Sequence, residues 1–398
     1  MWAMQPDFSE KSIMVWLSLL GNCGFNTYKA LSSEFGSPSE IYDASTAGKL
    51  PGSLKRDSKA LIDFKDDSLK ARAAEICLEA DRAGMKIITA EDPDYPEKLI
   101  NTPYPCPLVL YYYGDMGICS GGDTDICIGI VGSRHCSASG GANAMSYSYD
   151  LAAKGITVIS GMARGCDGLA HTGALKAGGK TAAVLASGAD VIYPPEHKKL
   201  YNDIIAKGGC VLSESPPGTI PYKQLFPARN RIIAGLSDGV LVIEAAKKSG
   251  ALITADRALE ADRTVFALPG DVRNPMAYGT NELIRQGAIC VSDVNIILDE
   301  LGLAEDRRCK KRPWNGFAIG LPFPENAVAN ALIHGAGTVD EIEQVTHIDV
   351  GKIAGALTML EIRGLIRSDG FGIYYPLPEH TEHVDPAGIQ DRGLAECG

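Results

Sequence analysis

The chain has 398 residues, 45% hydrophobic and 22% charged, an ordinary globular composition with room for two or three domains. Its formal net charge of −11 excludes a surface that is basic throughout, although a local basic groove can sit on an acidic protein. Eleven cysteines are scattered without a CxxC pair or zinc-spaced Cys/His cluster, which argues against a disulfide framework or a metal site. They read as reduced thiols of a cytoplasmic protein, and neither a cofactor nor a metal is expected. Residues 13–20 are apolar but too short and too poor in flanking bases for a signal peptide. No run approaches the about 18 apolar residues of a membrane span, so no membrane partner is expected.

In chain order, residues 1–86 read as a helical domain. Ile13, Val15, Trp16, Leu19 and Leu20 make one amphipathic face, short helices follow at 28–35 and from 38, and residues 69–83 form a longer helix stopped by Gly84. Glycine turns between short helices suit DNA-backbone contact through turn amides, and equally suit plain helical packing, since a GxG hairpin is absent. Residues 87–302 read as an α/β domain. Strands at 87–89 and 108–111 flank a proline-rich stretch. Seven short apolar runs then alternate with helices: 127–131, 157–159, 181–186, 210–212, 240–243, 265–268 and 288–291. That alternation predicts a doubly wound, mostly parallel sheet covered on both faces.

Residues 303–323 read as a linker. Its basic run, Arg307 to Arg312, is a solvated segment on the plain reading and a phosphate contact on the other. Residues 324–378 carry three helices and a hairpin, the winged-helix pattern. Thr338 to Glu341 reads as a capping box opening its second helix, and Asp369-Gly370 as the hairpin turn. Residues 379–398 are polar and expected to be disordered.

Three strand ends carry unusual residues. Gly132-Ser133-Arg134 follows the first parallel strand, where a glycine allows close approach of a phosphate and the next helix offers its amino terminus. The second strand ends in Ser160-Gly161, with Ala163, Arg164, Gly165 and Asp167 behind it. Lys223, Phe226, Arg229, Asn230 and Arg231 gather cations around one aromatic, the chemistry that holds single-stranded nucleic acid. The stretch continues through Glu244 to the Ser249-Gly250 turn. All of these lie on the edge where open α/β sheets place ligands. His171 reads as a buried, hydrogen-bonded histidine. Ser133, Ser160 and Ser213 lack an evident histidine partner. Glu214 and Glu244 could form a carboxylate pair or organise neighbouring loops. No catalytic set is expected.

Together these motifs resemble the DprA/Smf family of bacterial DNA-processing proteins. The likeness runs over residues 129–291. It includes GSR at 132–134, SGxAxGxD at 160–167 followed by Ala170-His171, RNRIIAGLS at 229–237, Glu244-Ala245 and SGALITA at 249–255. VFALPG and GTNELIRQGA complete it between 265 and 288. The resemblance implies an extended Rossmann-like fold, with residues 1–86 as a helical SAM-like domain and 324–378 as the family's winged helix. It implies single-stranded DNA binding without sequence preference and no established enzymatic activity. It further implies a recombination mediator that protects incoming DNA in natural transformation, loads the RecA recombinase and forms a homodimer. By carry-over, Gly132, Ser133, Arg134, Ser160, Gly161 and the helix start at Arg229–Arg231 line the DNA groove. Cys166 replaces the family's usual aliphatic residue, with only a packing change expected.

Residues 325–378 hold seven acids against three bases. A DNA-reading winged helix should be basic, so this unit reads as a protein contact. The rival to the DNA-binding reading is a nucleotide-processing hydrolase of the lysine-decarboxylase-like Rossmann group. It would need PGGxGT before a catalytic Glu, where this chain has Glu244-Ala245-Ala246-Lys247-Lys248-Ser249-Gly250. A transcription regulator using the winged helix as its reader is a third reading, opposed by that unit's acidity.

Overall fold

The computed structural model describes residues 9–21, 24–54, 58–120, 126–303, 321–333, 336–368 and 372–376. The basic run at 307–312, the turn at 369–370 and the tail from 379 lie outside the described residues. Contacts divide the chain into two compact units, Met1–Leu303 and Ala304–Gly398.

The first unit opens with five helices: α1 (Glu10–Leu19), α2 (Phe25–Phe35), α3 (Pro38–Thr46), α4 (Lys59–Phe64) and α5 (Asp67–Arg82). Ser9, Ser37, Ser58 and Asp66 cap four of them by accepting backbone N–H bonds, which satisfies donors the first helical turn leaves unpaired. The buried Trp16 packs against Phe64 at 5.5 Å and Tyr42 at 5.8 Å between ring centres. Strand β1 (Lys86–Thr89), helix α6 (Glu97–Ile100) and strand β2 (Val109–Gly114) follow.

The alternating region then runs β3 (Cys127–Val131), α7 (Ala138–Ala153), β4 (Thr157–Ser160), α8 (Cys166–Lys176), β5 (Thr181–Val184), α9 (Lys198–Ala206), β6 (Cys210–Ser213), α10 (Leu225–Leu236), β7 (Gly239–Val242), α11 (Gly250–Glu260), β8 (Thr264–Ala267), α12 (Tyr278–Arg285), β9 (Ile289–Cys290) and α13 (Val294–Glu300). The sheet order is β1-β2-β6-β5-β4-β3-β7-β8-β9. The seven strands from β6 to β9 are parallel. The two early strands pair with each other and with β6 in antiparallel sense, so they extend the sheet at one edge to nine strands.

Alternate residues of each central strand enter opposite cores, as the two-residue period of a strand requires. Cys127 and Val131 join the core shared with α1–α5, α10, α11 and α12, whereas Ile128 and Ile130 join the one beneath α7, α8 and α13. Both faces are therefore covered, which is why the strands read as continuous apolar runs. The chain order leaves β3 in one direction through β4 to β6 and returns on its other side through β7 to β9. The gap between the carboxyl ends of β3 and β7 is thus the topological switch point, where open α/β sheets bind ligands.

One helix of the site begins earlier than the helix start at Arg229–Arg231 that the resemblance implies. α10 starts at Leu225. Pro227 does not stop α10, because it lies in the first turn, where its missing N–H would find no helical acceptor anyway. Arg229 and Arg231 consequently sit in the second turn rather than at the helix start.

The second unit contains α14 (Glu325–Ile333), α15 (Val339–Thr346), α16 (Val350–Ile362) and the antiparallel pair β10 (Ile366–Ser368) and β11 (Tyr374–Pro376). Thr338 and Glu341 form the expected reciprocal capping box. Asp349 caps α16. Arg363 bridges to Glu325 at 3.0 Å, so one of the two cations in and just after α16 is engaged within its own unit.

Candidate nucleic-acid interface

At the switch point, Glu244 reaches from the end of β7 to the start of α7. Its carboxylate accepts from the backbone N–H of Ser137 at 2.9 Å and from the Ser137 hydroxyl. Ser137 in turn caps α7. The nearly buried Glu244 therefore ties two loops together beside a helix amino terminus, where negative charge is favoured. Glu214 is engaged elsewhere, accepting from Arg231 at 2.6 Å, so the two acids do not form a pair.

The β4–α8 loop is organised from within. Ser160 is fully buried and donates to the carbonyl of Ile130 at 2.6 Å. Asp167 accepts from the N–H of Gly161 at 3.2 Å and also from Ala163. Burial raises the Asp167 carboxyl above its ordinary value, and the nearby Arg229 charge and these backbone donors pull the other way. Met162 adopts a left-handed backbone (φ 57) and Gly165 another (φ 71). A side chain at Gly165 would also strike the Ser133 carbonyl at 2.3 Å.

Arg229 completes this loop. It is 6% exposed, and its Nη1 donates to the carbonyl of Gly161 at 2.7 Å and to that of Val184. Burial lowers its pKa to about 10, against the favourable field of Asp167. Both backbone groups of Gly161 are thus used internally. This corrects the sequence expectation: Ser160, Gly161 and Arg229 turn inward and build the wall instead of presenting free groups to a phosphate. Arg231 is also withdrawn, 15% exposed at its side chain and paired with Glu214. The signal for Arg229 was present, because Arg229, Ile232, Ile233 and Leu236 follow the spacing of one buried helix face.

The outward groups are different ones. Arg134 is exposed, and its guanidinium lies 4.6 Å from the centre of the Phe226 ring, within cation–π range. Phe226 meets Tyr193 edge-on at 5.8 Å, and Tyr193 is 37% exposed. The loops after β3 and β5 and the first turn of α10 thereby converge on one cation–aromatic cluster. Lys223 is exposed just before α10. Arg164 is exposed and paired with Glu196, and Ala163 is half-buried beside it. Gly132 is half-buried, while Ser133 is nearly buried and accepts from the His135 N–H at 3.1 Å. Asn230 donates to the Gly250 carbonyl at 3.3 Å, and Ser249 caps α11, so these three join α10 to the start of α11. On the same edge Lys247 lies 5.4 Å from the ring centre of Tyr278, which is 49% exposed. Sequence reasoning missed Tyr193, Lys247 and Tyr278. The adjacent lysines at 247 and 248 after a strand end were the available signal, whereas Tyr193 is placed by a long loop that carries none.

His171 is fully buried and its Nδ1 lies 2.7 Å from the Thr181 hydroxyl. That hydroxyl donates its own hydrogen to the Val158 carbonyl, so His171 donates from Nδ1. Burial, helped by the charges of His197 and Arg229, lowers its pKa to about 3. It is a neutral packing residue at ordinary pH. Among the described residues no three His, Cys, Asp or Glu side chains converge as metal ligands, and no helix is long and apolar enough to cross a membrane.

The sequence is 36% identical over 313 residues to protein Smf of Synechocystis, covering 71% of this chain and 78% of that protein. It is 43% identical over 218 residues to DNA processing protein DprA of Bacillus subtilis, covering 55% and 72%. The fold is similar to the X-ray structure of DNA processing protein A from Streptococcus pneumoniae, with a TM-score of 0.61 at 32% identity over 73% of this chain and 98% of that one. Residues 86–302, which hold the nine-stranded sheet and the whole candidate interface, match the DNA recombination-mediator protein A family, and the chain belongs to that family.

Proposed function

We propose that this protein binds single-stranded DNA along the carboxyl edge of its sheet, without sequence preference and without turning over a nucleotide. The observation that carries the reading is the Arg134–Phe226–Tyr193 cluster on the carboxyl edge of the sheet, with Arg134 and Tyr193 exposed and Phe226 half-buried between them. A cation that follows phosphates beside aromatic faces that stack on bases is the chemistry of sequence-tolerant single-strand binding. Lys223, Lys247 and Tyr278 extend it along the same edge. Glu244 and Glu214 are engaged in holding Ser137 and Arg231, which disfavours the hydrolase reading.

The wider role follows from family membership. The protein serves as a cytoplasmic recombination mediator that shields incoming single strands during natural transformation and helps load RecA, acting as a homodimer. Residues 1–86 form a SAM-like domain, 87–302 the extended Rossmann-type DNA-binding domain, 303–323 a linker and 324–378 a winged helix. The acidic balance of the winged helix and the Arg363–Glu325 bridge favour a protein partner over duplex DNA.

Fluorescence anisotropy with labelled oligo-dT and a matched duplex tests the reading. Tight oligo-dT binding that loosens with salt is expected, with weak duplex binding. Preferential duplex binding, or hydrolysis of a nucleoside monophosphate, overturns it.

A further inference from the structure

Two loops on the carboxyl edge are clasped to each other. The segment after β6 makes a tight turn at 216–219, where Pro217 is buried, Gly218 takes a left-handed backbone (φ 73) and the Thr219 N–H donates to the Pro216 carbonyl at 3.2 Å. Proline followed by a left-handed glycine is the pair such a turn requires. The segment after β5 grips that turn. Both carboxylate oxygens of Asp190 accept from the Gly218 N–H at 3.0 Å, the Gly188 N–H donates to the Thr219 carbonyl at 2.9 Å, and the Ser213 hydroxyl donates to the Ser187 carbonyl at 2.6 Å. The segment after β5 is the one that carries Tyr193. The segment after β6 leaves the turn through Ile220 and Tyr222, 72% and 50% exposed, and runs on to Phe226 in the first turn of α10.

We propose that Tyr222, flanked by Ile220, is a second base-stacking surface for single-stranded DNA, continuous with the Arg134–Phe226–Tyr193 cluster, and that Asp190 is the positioning residue that holds it beside Tyr193. This rests on reading that cluster as the DNA interface, and it lengthens the interface along residues 220–223.

A lone exposed apolar side chain needs no explanation. Here two of them flank Pro221, on a backbone fixed by the clasp before them and by α10 after them. The area they offer is already ordered, so a ligand that covers it loses little conformational entropy. The exposed Lys223 follows Tyr222 directly. A cation for a phosphate therefore stands beside a flat face for a base, the same pairing as Arg134 with Phe226. The carboxylates of the two segments all have partners within the protein: Asp190 accepts from Gly218, Glu196 pairs with Arg164 and Glu214 with Arg231. Continuity with the cluster around Phe226 makes the bases of the same strand the occupant.

The test is fluorescence anisotropy on the full chain with a length series of labelled oligo-dT at several salt concentrations, with urea melts to verify the fold. Tyr222→Ala should weaken binding to long oligo-dT by at least about fivefold, the low end for one stacked base. The log–log salt slope should not change, because no phosphate contact is lost. Tyr222→Phe should restore the affinity. Asp190→Ala should also weaken binding, although it removes a negative charge from the path of a polyanion, and it should add little to Tyr222→Ala, because both act on one surface. Unchanged affinity in Tyr222→Ala, or tighter binding in Asp190→Ala, overturns the proposal. So does an effect of Tyr222→Ala confined to self-association of the DNA-free protein in sedimentation, which would make the patch a contact between copies. Binding lost in Arg134→Ala but kept in Tyr222→Ala removes the second surface and leaves the cluster standing. Absence of oligo-dT binding by the unsubstituted chain overturns the DNA reading and this extension with it.

Discussion

Arg229 donates its Nη1 hydrogen bond to the Gly161 carbonyl at 2.7 Å, pinning the second turn of α10 to the loop after β4. The side chain that the sequence offers as a phosphate contact is the bolt of the wall, whereas Arg134 lies exposed over Phe226. The two arginines should therefore respond to mutation in opposite ways.

Arg229→Ala strands buried carbonyls and leaves Asp167 without its neighbouring charge. The expected loss of stability is about 3 kcal/mol, read by urea denaturation. The salt dependence of any remaining DNA binding should be unchanged. A stable variant with a flatter salt slope would return Arg229 to the phosphate contacts.

Arg134→Ala should leave stability within about 0.5 kcal/mol, as for an exposed side chain. Its oligo-dT affinity should fall, with the log–log salt slope shallower by about 0.7 for one lost single-strand phosphate contact. Phe226→Ala should cost about 1–3 kcal/mol of binding through lost stacking with the slope largely retained. Titrations at several salt concentrations separate the two effects.

Acid should weaken the fold through His171. Its folded pKa, about 3, lies below the ordinary value of 6.5, so between these limits the unfolded chain binds the extra proton. Stability is complete above about pH 6.5 and falls as pH drops toward 3. At pH 5.5 this single group accounts for about 1.4 kcal/mol. His171→Asn should flatten the stability difference between pH 7 and 5.5, measured by denaturant melts at both.

Glu244 and Gly140 should be coupled. A Cβ at Gly140 would sit 2.2 Å from the Glu244 carboxyl carbon, so Gly140→Ala displaces the carboxylate from Ser137. Each of Gly140→Ala and Glu244→Ala is expected to cost about 2 kcal/mol. The double variant should cost less than the sum, because the clash and the lost bonds share one carboxylate. Additivity in a urea double-mutant cycle would show that the two act separately.

Much of the architecture is legible locally. The apolar runs at 127–131, 157–159 and 240–243 mark parallel strands because both faces of the sheet are covered, and Thr338 with Glu341 announces a helix start through a contact only three residues long. The antiparallel placement of β1 and β2 is not legible in this way. It depends on pairing with β6, about a hundred residues away, which short-range periodicity does not report. Lys247 with Tyr278 and Arg134 with Phe226 are likewise long-range pairings.

The sequence by itself determined the strand–helix alternation, the family motifs and the edge of the sheet that carries them, because those follow from periodicity and residue type. Only the tertiary structure decided which cations face water. Arg229 and Arg134 have the same chemistry, and their roles diverge because one lies on the buried face of α10 against the carbonyls of Gly161 and Val184, while the other projects from a loop beyond the end of β3. Burial is set by what packs against a residue, and for these two the packing partners come from elsewhere in the chain.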